Sequence, residues 1–160
     1  MLTIGLLLGT FDPPHFGHIY AACKALDQVD FVAIVPAWIS PWKKNATPYE
    51  KRLQMCLNSF KFDNITVWDI DSQIKSNNSY EFLKAIENPE VCFKIICGSD
   101  INISEWHEHD WIKEHYKTIT IPLCDFKCSS TQIRDTIKEG KDPRPLITQQ
   151  VYYIAKEIYK

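Results

Sequence analysis

Gly9-Thr10-Phe11-Asp12-Pro13-Pro14-His15-Phe16-Gly17-His18 joins a mostly apolar run, residues 2–8, to a stretch where Ile19, Ala22, Cys23 and Leu26 fall at i, i+3, i+4 and i+7. The run reads as a strand covered on both faces, the spaced set as the stripe of an amphipathic helix, and the decapeptide between them as a strand-to-helix turn. Backbone N–H groups at such a helix start lack intrahelical partners, and the helix dipole adds positive potential there. Gly9 lets the backbone come close to a ligand, and His15 and His18, three residues apart, can face one bound phosphate and donate hydrogen bonds as charge grows in a transition state. Two solvated or capping histidines are the alternative, disfavoured by their pairing around Gly17 in a proline-rich turn.

Outward from this turn the pattern repeats. Strand-like runs at residues 31–36, 65–68, 91–97 and 118–123 alternate with helix-like ones, which predicts an α/β, Rossmann-like fold: five mostly parallel strands with helices on both faces. Leu53, Cys56, Leu57 and Phe60 mark a second helix, opened by Thr47 as N-cap, Pro48 and a capping-box Glu50. Asn78-Ser79-Tyr80-Glu81 gives a similar start signal. A helix after Ser129 is expected to stop at Gly140, and Val151, Ile154, Ala155 and Ile158 define a closing helix. Among only five glycines, Gly9 and Gly98 end strands and Gly17 lies in the first turn. Ligands of open parallel sheets bind beyond such strand ends, so the following loops are the candidate site walls.

Composition narrows the classes. The chain has 160 residues, 45% hydrophobic and 24% charged, with a formal charge of −2. One globular domain spanning residues 1–160 is expected, and a duplex-binding basic face is not. The opening residues 1–8 lack a basic lead and are soon followed by Asp12-Pro13-Pro14, which argues against a signal peptide or membrane span and for a cytoplasmic protein. Six cysteines sit mostly in apolar runs, as buried reduced thiols would. Cys124 and Cys128 with His107 and His109 could suggest zinc, but no matched ligand spacing supports it, and no metal site is expected.

Gly-Thr-Phe-Asp-Pro-x-His-x-Gly-His resembles the signature of the nucleotidyltransferase superfamily that shares an H-x-G-H element with class I aminoacyl-tRNA synthetases. Cys128-Ser129-Ser130-Thr131-Gln132-Ile133-Arg134 is similar to the second family motif, Ile-Ser-Ser-Thr-x-Ile-Arg, with Cys128 in place of an aliphatic residue. Alone it would read as an N-cap and a solvated arginine. With the first motif, Ser129, Ser130, Thr131 and Arg134 are expected to hold a triphosphate tail. Within the superfamily most of the chain resembles bacterial nicotinate or nicotinamide mononucleotide adenylyltransferases. The resemblance implies that Lys43, at the end of Pro36-Ala37-Trp38-Ile39-Ser40-Pro41-Trp42-Lys43, meets phosphate, although Trp42 stands where a histidine is common. It gives Gly9, Thr10, Phe11, Gly17, Gly98 and Asp100 to ATP, with the Asp100 carboxylate on ribose hydroxyls unless it merely caps the next helix. It gives Ser79, Tyr80, Arg52 and Trp106 to the mononucleotide. Trp106 stands two residues closer to Gly-x-Asp than usual, with Trp111 as fallback and core packing as the other explanation; Arg52 reads equally well as a surface arginine.

The implied reaction is in-line attack of the mononucleotide phosphate on the α-phosphorus of ATP, with release of pyrophosphate. His15, His18, Lys43 and Arg134 are the expected catalytic contributors, through alignment and charge neutralisation, and Mg2+ is expected to arrive on ATP. ATP and a pyridine mononucleotide are then the partners, with neither nucleic acid nor membrane, and a homo-oligomer is compatible with the sequence. Two departures stand out. Glu81 replaces a threonine that helps recognise the nicotinate carboxylate, which points to a preference for the amide unless Glu81 only caps its helix; and the segment before Ser129 is short, implying a more open pocket. The alternatives are a pantetheine-phosphate adenylyltransferase, against which His15 and Gly98-Ser99-Asp100 weigh, and a non-catalytic nucleotide sensor on the same fold.

Overall fold

The structure, a computed structural model, describes residues 1–122 and 127–160. β1 (Leu2–Gly9), β2 (Phe31–Pro36), β3 (Ile65–Val67), β4 (Val91–Gly98) and β5 (Lys117–Ile121) form one sheet in the order β3-β2-β1-β4-β5. All four pairings are parallel. From β1 the chain winds first toward β2 and β3, then crosses back to β4 and β5 on the other side. The crevice of such a doubly wound sheet opens at the carboxyl ends of the strands flanking the reversal, here β1 and β4.

Helices cover both faces because the strands are apolar on both. On one side α1 (Phe16–Ala25) and α2 (Tyr49–Leu57) bury Ile19, Ala22, Ala25 and Cys56 against Leu7, Ile34 and Ile96. On the other, α3 (Asp71–Ile74), α4 (Ser79–Ala85) and α5 (His109–His115) pack with Phe82, Leu83 and Ile112 on Leu6, Val35 and Ile95. A third cluster joins Met55 of α2 to α6 (Ser130–Lys138) and α7 (Gln149–Ile158) through Ile133, Ile137, Val151 and Ala155. Each large aliphatic so buried contributes roughly 1.5–3 kcal/mol.

The expected elements form, with local differences. In α1 the inner residues are Ile19, Ala22 and Ala25, while Cys23 is exposed. α2 starts one residue late: Pro48 is its N-cap and makes no side-chain cap bond. Thr47 remains in the loop because its N–H donates to Asp12 Oδ2 (2.9 Å) and its carbonyl accepts from Arg52 Nε (2.7 Å). Drawing Arg52 inward also turns the helix, so that Tyr49, Arg52, Met55 and Cys56 are buried and Leu57 is exposed. Asn78 caps α4 by accepting the Glu81 N–H, and Gly140, at φ +73°, takes the left-handed conformation that ends α6. Burial pushes the Cys97 thiol up to about 11, aided by the Asp100 charge, and raises that of Cys56 further, as inert packed thiols require. Of the expected strand at 118–123, Leu123 lies outside the described residues, as does Cys124 of the weighed zinc set.

Candidate active site

The turn after β1 ends in a pair of stacked imidazoles. His15 is the N-cap of α1: its Nδ1 accepts the Gly17 N–H at 3.1 Å, and His18 Nδ1 accepts the His15 N–H at 3.1 Å. The two rings lie 3.8 Å apart between centroids, 25° from parallel. A Cβ on residue 17 would stand 2.9 Å from the His15 ring, so only glycine there leaves space for the stack. The histidines therefore do cap the helix, as the plainer expectation held, but capping uses only Nδ1. With Nδ1 accepting on both rings, the neutral tautomer carries its proton on Nε2 and has one donor left to give. Burial, then the neighbouring Lys43 charge, brings His15 down to about 4; burial, His15 and Lys43 hold His18 well below its ordinary value. Both rings are neutral donors at pH 7; Phe11 meets His18 edge-on at 4.8 Å, and its ring also packs against Gly9 at 3.1 Å from where a Cβ would stand.

The start of α6 closes on this turn from the other end of the chain. Ser130 Oγ donates to the Pro13 carbonyl (2.7 Å), and Arg134 Nη1 donates to the Asp12 carbonyl (2.7 Å) while Nη2 reaches Thr131 Oγ1 (3.2 Å). Ser129 Oγ caps the helix at the Gln132 N–H (3.1 Å). The amides of Ser130 and Thr131 lie in the first turn and have no intrahelical acceptor. Lys43 arrives on the loop after β2, which Thr10 Oγ1 joins through Ser40 Oγ at 3.1 Å. Burial and the nearby Arg134 charge lower the Lys43 ammonium from its usual value, against the opposing pull of Asp12. Cations held this close are stabilised jointly by a polyanion set between them.

Arg52 is a correction. Expected on the mononucleotide, or at the surface, its buried guanidinium bonds the carbonyls of Thr47, Thr10, Ala37 and Trp38 at 2.7–3.3 Å. Four of its five N–H groups thus clamp the loops after β1 and β2 from beneath.

Gly98 ends β4 at the crevice and Asp100 is exposed just beyond it; Asn102, not Asp100, caps the short 3-10 turn at Ile103–Glu105, so the capping alternative for Asp100 fails. Beside the crevice lies a shallow, mostly apolar pocket bounded by Leu8, Val35, Ile39, Ser76, Ser79 and Phe82. Ser79 is thus on the wall. Tyr80 instead meets Trp111 and His107 edge-on at 5.1 and 5.8 Å, and Trp106 packs half-buried on the α4–α5 cluster. Trp111 stacks on His115 at 4.2 Å. The Glu81 carboxylate accepts the Asn77 N–H (2.8 Å) and Nδ2 (3.1 Å), folded back on its own turn.

Three further residues, Asp12, Asp71 and Tyr159, hold the site together. Asp12 lies inside the first motif, yet its buried carboxylate accepts from Thr47 and from the Tyr159 hydroxyl, far along the chain. Burial raises Asp12, but hydrogen bonds from Thr47 and Tyr159 and the Arg134 charge outweigh it and leave the carboxyl below its usual value. Asp71 pins the loop after β2 through the Trp38 N–H at 2.8 Å.

The model of the cytidylyltransferase-like family matches residues 6–136. A probable nicotinate-nucleotide adenylyltransferase of Anaeromyxobacter dehalogenans is 30% identical over 98% of this chain and 96% of its own. A crystal structure from Vibrio parahaemolyticus superposes with a TM-score of 0.82 at 22% identity, over 99% of this chain and 98% of that one. The Plasmodium falciparum nicotinic acid mononucleotide adenylyltransferase, complexed with NaAD, gives 0.80 at 19% identity over 99% and 96%. These two show a shared fold. With the family signature, the full-length relative and the crevice in agreement, the chain belongs to the cytidylyltransferase-like nucleotidyltransferases and, among them, to the nicotinate-nucleotide adenylyltransferase family.

Proposed function

We propose that the chain transfers the adenylyl group of ATP to nicotinate mononucleotide. A phosphate oxygen of the mononucleotide bonds to the α-phosphorus, the bond from that phosphorus to the β-bridging oxygen breaks, and pyrophosphate leaves with the Mg2+ that ATP brought. The observation that carries this reading is the convergence of two neutral Nε2–H donors with the amide-rich start of α6 on one crevice. His15, His18, Lys43, Arg134 and the amides of Ser130 and Thr131 would hold the β- and γ-phosphates and take up charge as the leaving group departs. Gly9, Thr10, Phe11, Gly17 and Ser129 shape the turn and the cap that place these donors. Gly98 leaves the crevice open for the nucleoside, and Asp100 accepts from ribose hydroxyls. Nicotinate mononucleotide would enter the pocket beside Ser79, with Tyr80 and Trp106 lining the approach and the reaction taking place in the cytoplasm.

The acid is favoured over the amide for two reasons: the relatives bear the nicotinate name, and the Glu81 carboxylate is engaged at Asn77 rather than facing the pocket. Pyrophosphate release from MgATP, assayed separately with nicotinate mononucleotide, nicotinamide mononucleotide and phosphopantetheine, tests it. Turnover is expected to be greatest with the acid; release only with phosphopantetheine, or binding without release, would overturn it.

A further inference from the structure

The C-terminal segment touches the first turn in places that no phosphate-binding role accounts for. The Tyr159 hydroxyl, just beyond α7, donates to Asp12 Oδ1 in a buried setting, while Asp12 Oδ2 accepts the Thr47 N–H (2.9 Å) and the Asp12 carbonyl accepts Arg134 Nη1 (2.7 Å). The Leu146 carbonyl, in the connection leading to α7, accepts the Phe16 N–H at 3.0 Å. One residue of the turn therefore gathers a bond from each segment that carries a cation: Thr47 belongs to the loop of Lys43, and Arg134 to α6. Tyr159 itself is 5% exposed, with its ring packed among Met55, Ile133 and Val151. A hydroxyl is not needed to fill that space, and a buried one is kept only with a partner.

We infer that Tyr159 is a positioning residue: by fixing the Asp12 carboxylate, it holds Thr47 and with it the loop of Lys43 in register with the histidine pair, beside the Arg134 side chain that bonds the same residue's carbonyl. The inference rests on the adenylyl-transfer reading for its kinetic consequence but not for its structural one. An unheld carboxylate can rotate, and its bond to Thr47 then competes with water. Groups that act on the leaving phosphates lose alignment, while the mononucleotide pocket, bounded by other residues, keeps its shape.

The test compares the parent chain with Tyr159→Phe, which keeps the ring in its cluster, together with Asp12→Asn and the double variant. Hydrogen exchange at the Thr47 amide, without substrates, is expected to quicken about ten-fold in Tyr159→Phe. With MgATP and nicotinate mononucleotide, kcat is expected to fall about ten-fold with the mononucleotide KM within about two-fold, and the double variant to be no more than about two-fold slower than Asp12→Asn, since a residue acting through another adds nothing once its relay is gone. Unchanged exchange at Thr47 overturns the inference whatever the kinetics. A kcat equal to that of the parent, or multiplicative losses in the double variant, overturns its catalytic half. A parent without turnover whose variant still loosens Thr47 strikes the assigned activity and supports the tie.

Discussion

At the scale of single residues, the site works by splitting each imidazole between two tasks. Nδ1 of His15 and of His18 closes the start of α1, which fixes the tautomer and leaves Nε2–H to a ligand. A reading as caps and a reading as phosphate ligands therefore describe two atoms of one ring. His18→Ala should lower kcat about 100-fold, the loss typical of one transition-state donor. The missing cap bond should cost only about 1 kcal/mol, a drop of a few degrees in thermal midpoint; steady-state kinetics beside a melting curve check both. Gly17→Ala should also leave the protein folded and lower kcat by at least about ten-fold, because the new methyl would sit 2.9 Å from the His15 ring and push it from the stack.

Among elements, α2 shows where a sequence pattern yields to tertiary bonds. Apolar spacing places Leu57 on its inner face, yet four carbonyls from two loops draw Arg52 inward and Leu57 turns outward. Arg52→Met should destabilise the chain by roughly 3–5 kcal/mol in denaturant titration, since it leaves those carbonyls without their donor. A variant with full stability and a raised mononucleotide KM would return Arg52 to the ligand. The same contrast explains what was legible. β1, β2 and β4 are apolar on both faces, so position and pairing class follow from composition. The turn and the α6 start are short runs in which each residue has a local job, and their spacing alone names the chemistry. Asp12, Asp71 and Tyr159 act across tens of residues, with partners set only once the sheet has formed, and nothing in their neighbours marks them. Of the two readings of Glu81, ligand or helix start, the structure favours the second: its carboxylate turns back to Asn77.

For the molecule as a whole, the strand order brings the ends of β1 and β4 together, while α6 and α7 return the C-terminal end of the chain to the first turn. Burying neutral histidines at that junction ties stability to pH. The folded chain holds His15 near 4 against an ordinary 6.5, so the unfolded chain binds the extra proton and stability falls as pH drops from about 6.5 toward 4. That shift costs roughly 3 kcal/mol once the pH is below 4 and almost nothing at neutral pH, where the imidazole is unprotonated in both states; denaturation at pH 4.5 and 7 should show the loss, and His15→Gln should flatten much of it. The most direct measurement is a crystal structure with magnesium and a non-hydrolysable ATP analogue. Its triphosphate should lie between the two Nε2 atoms and the amides of Ser130 and Thr131, within about 2.7–3.2 Å of both sets. A triphosphate bound away from either the first turn or the start of α6 would contradict the shared cradle.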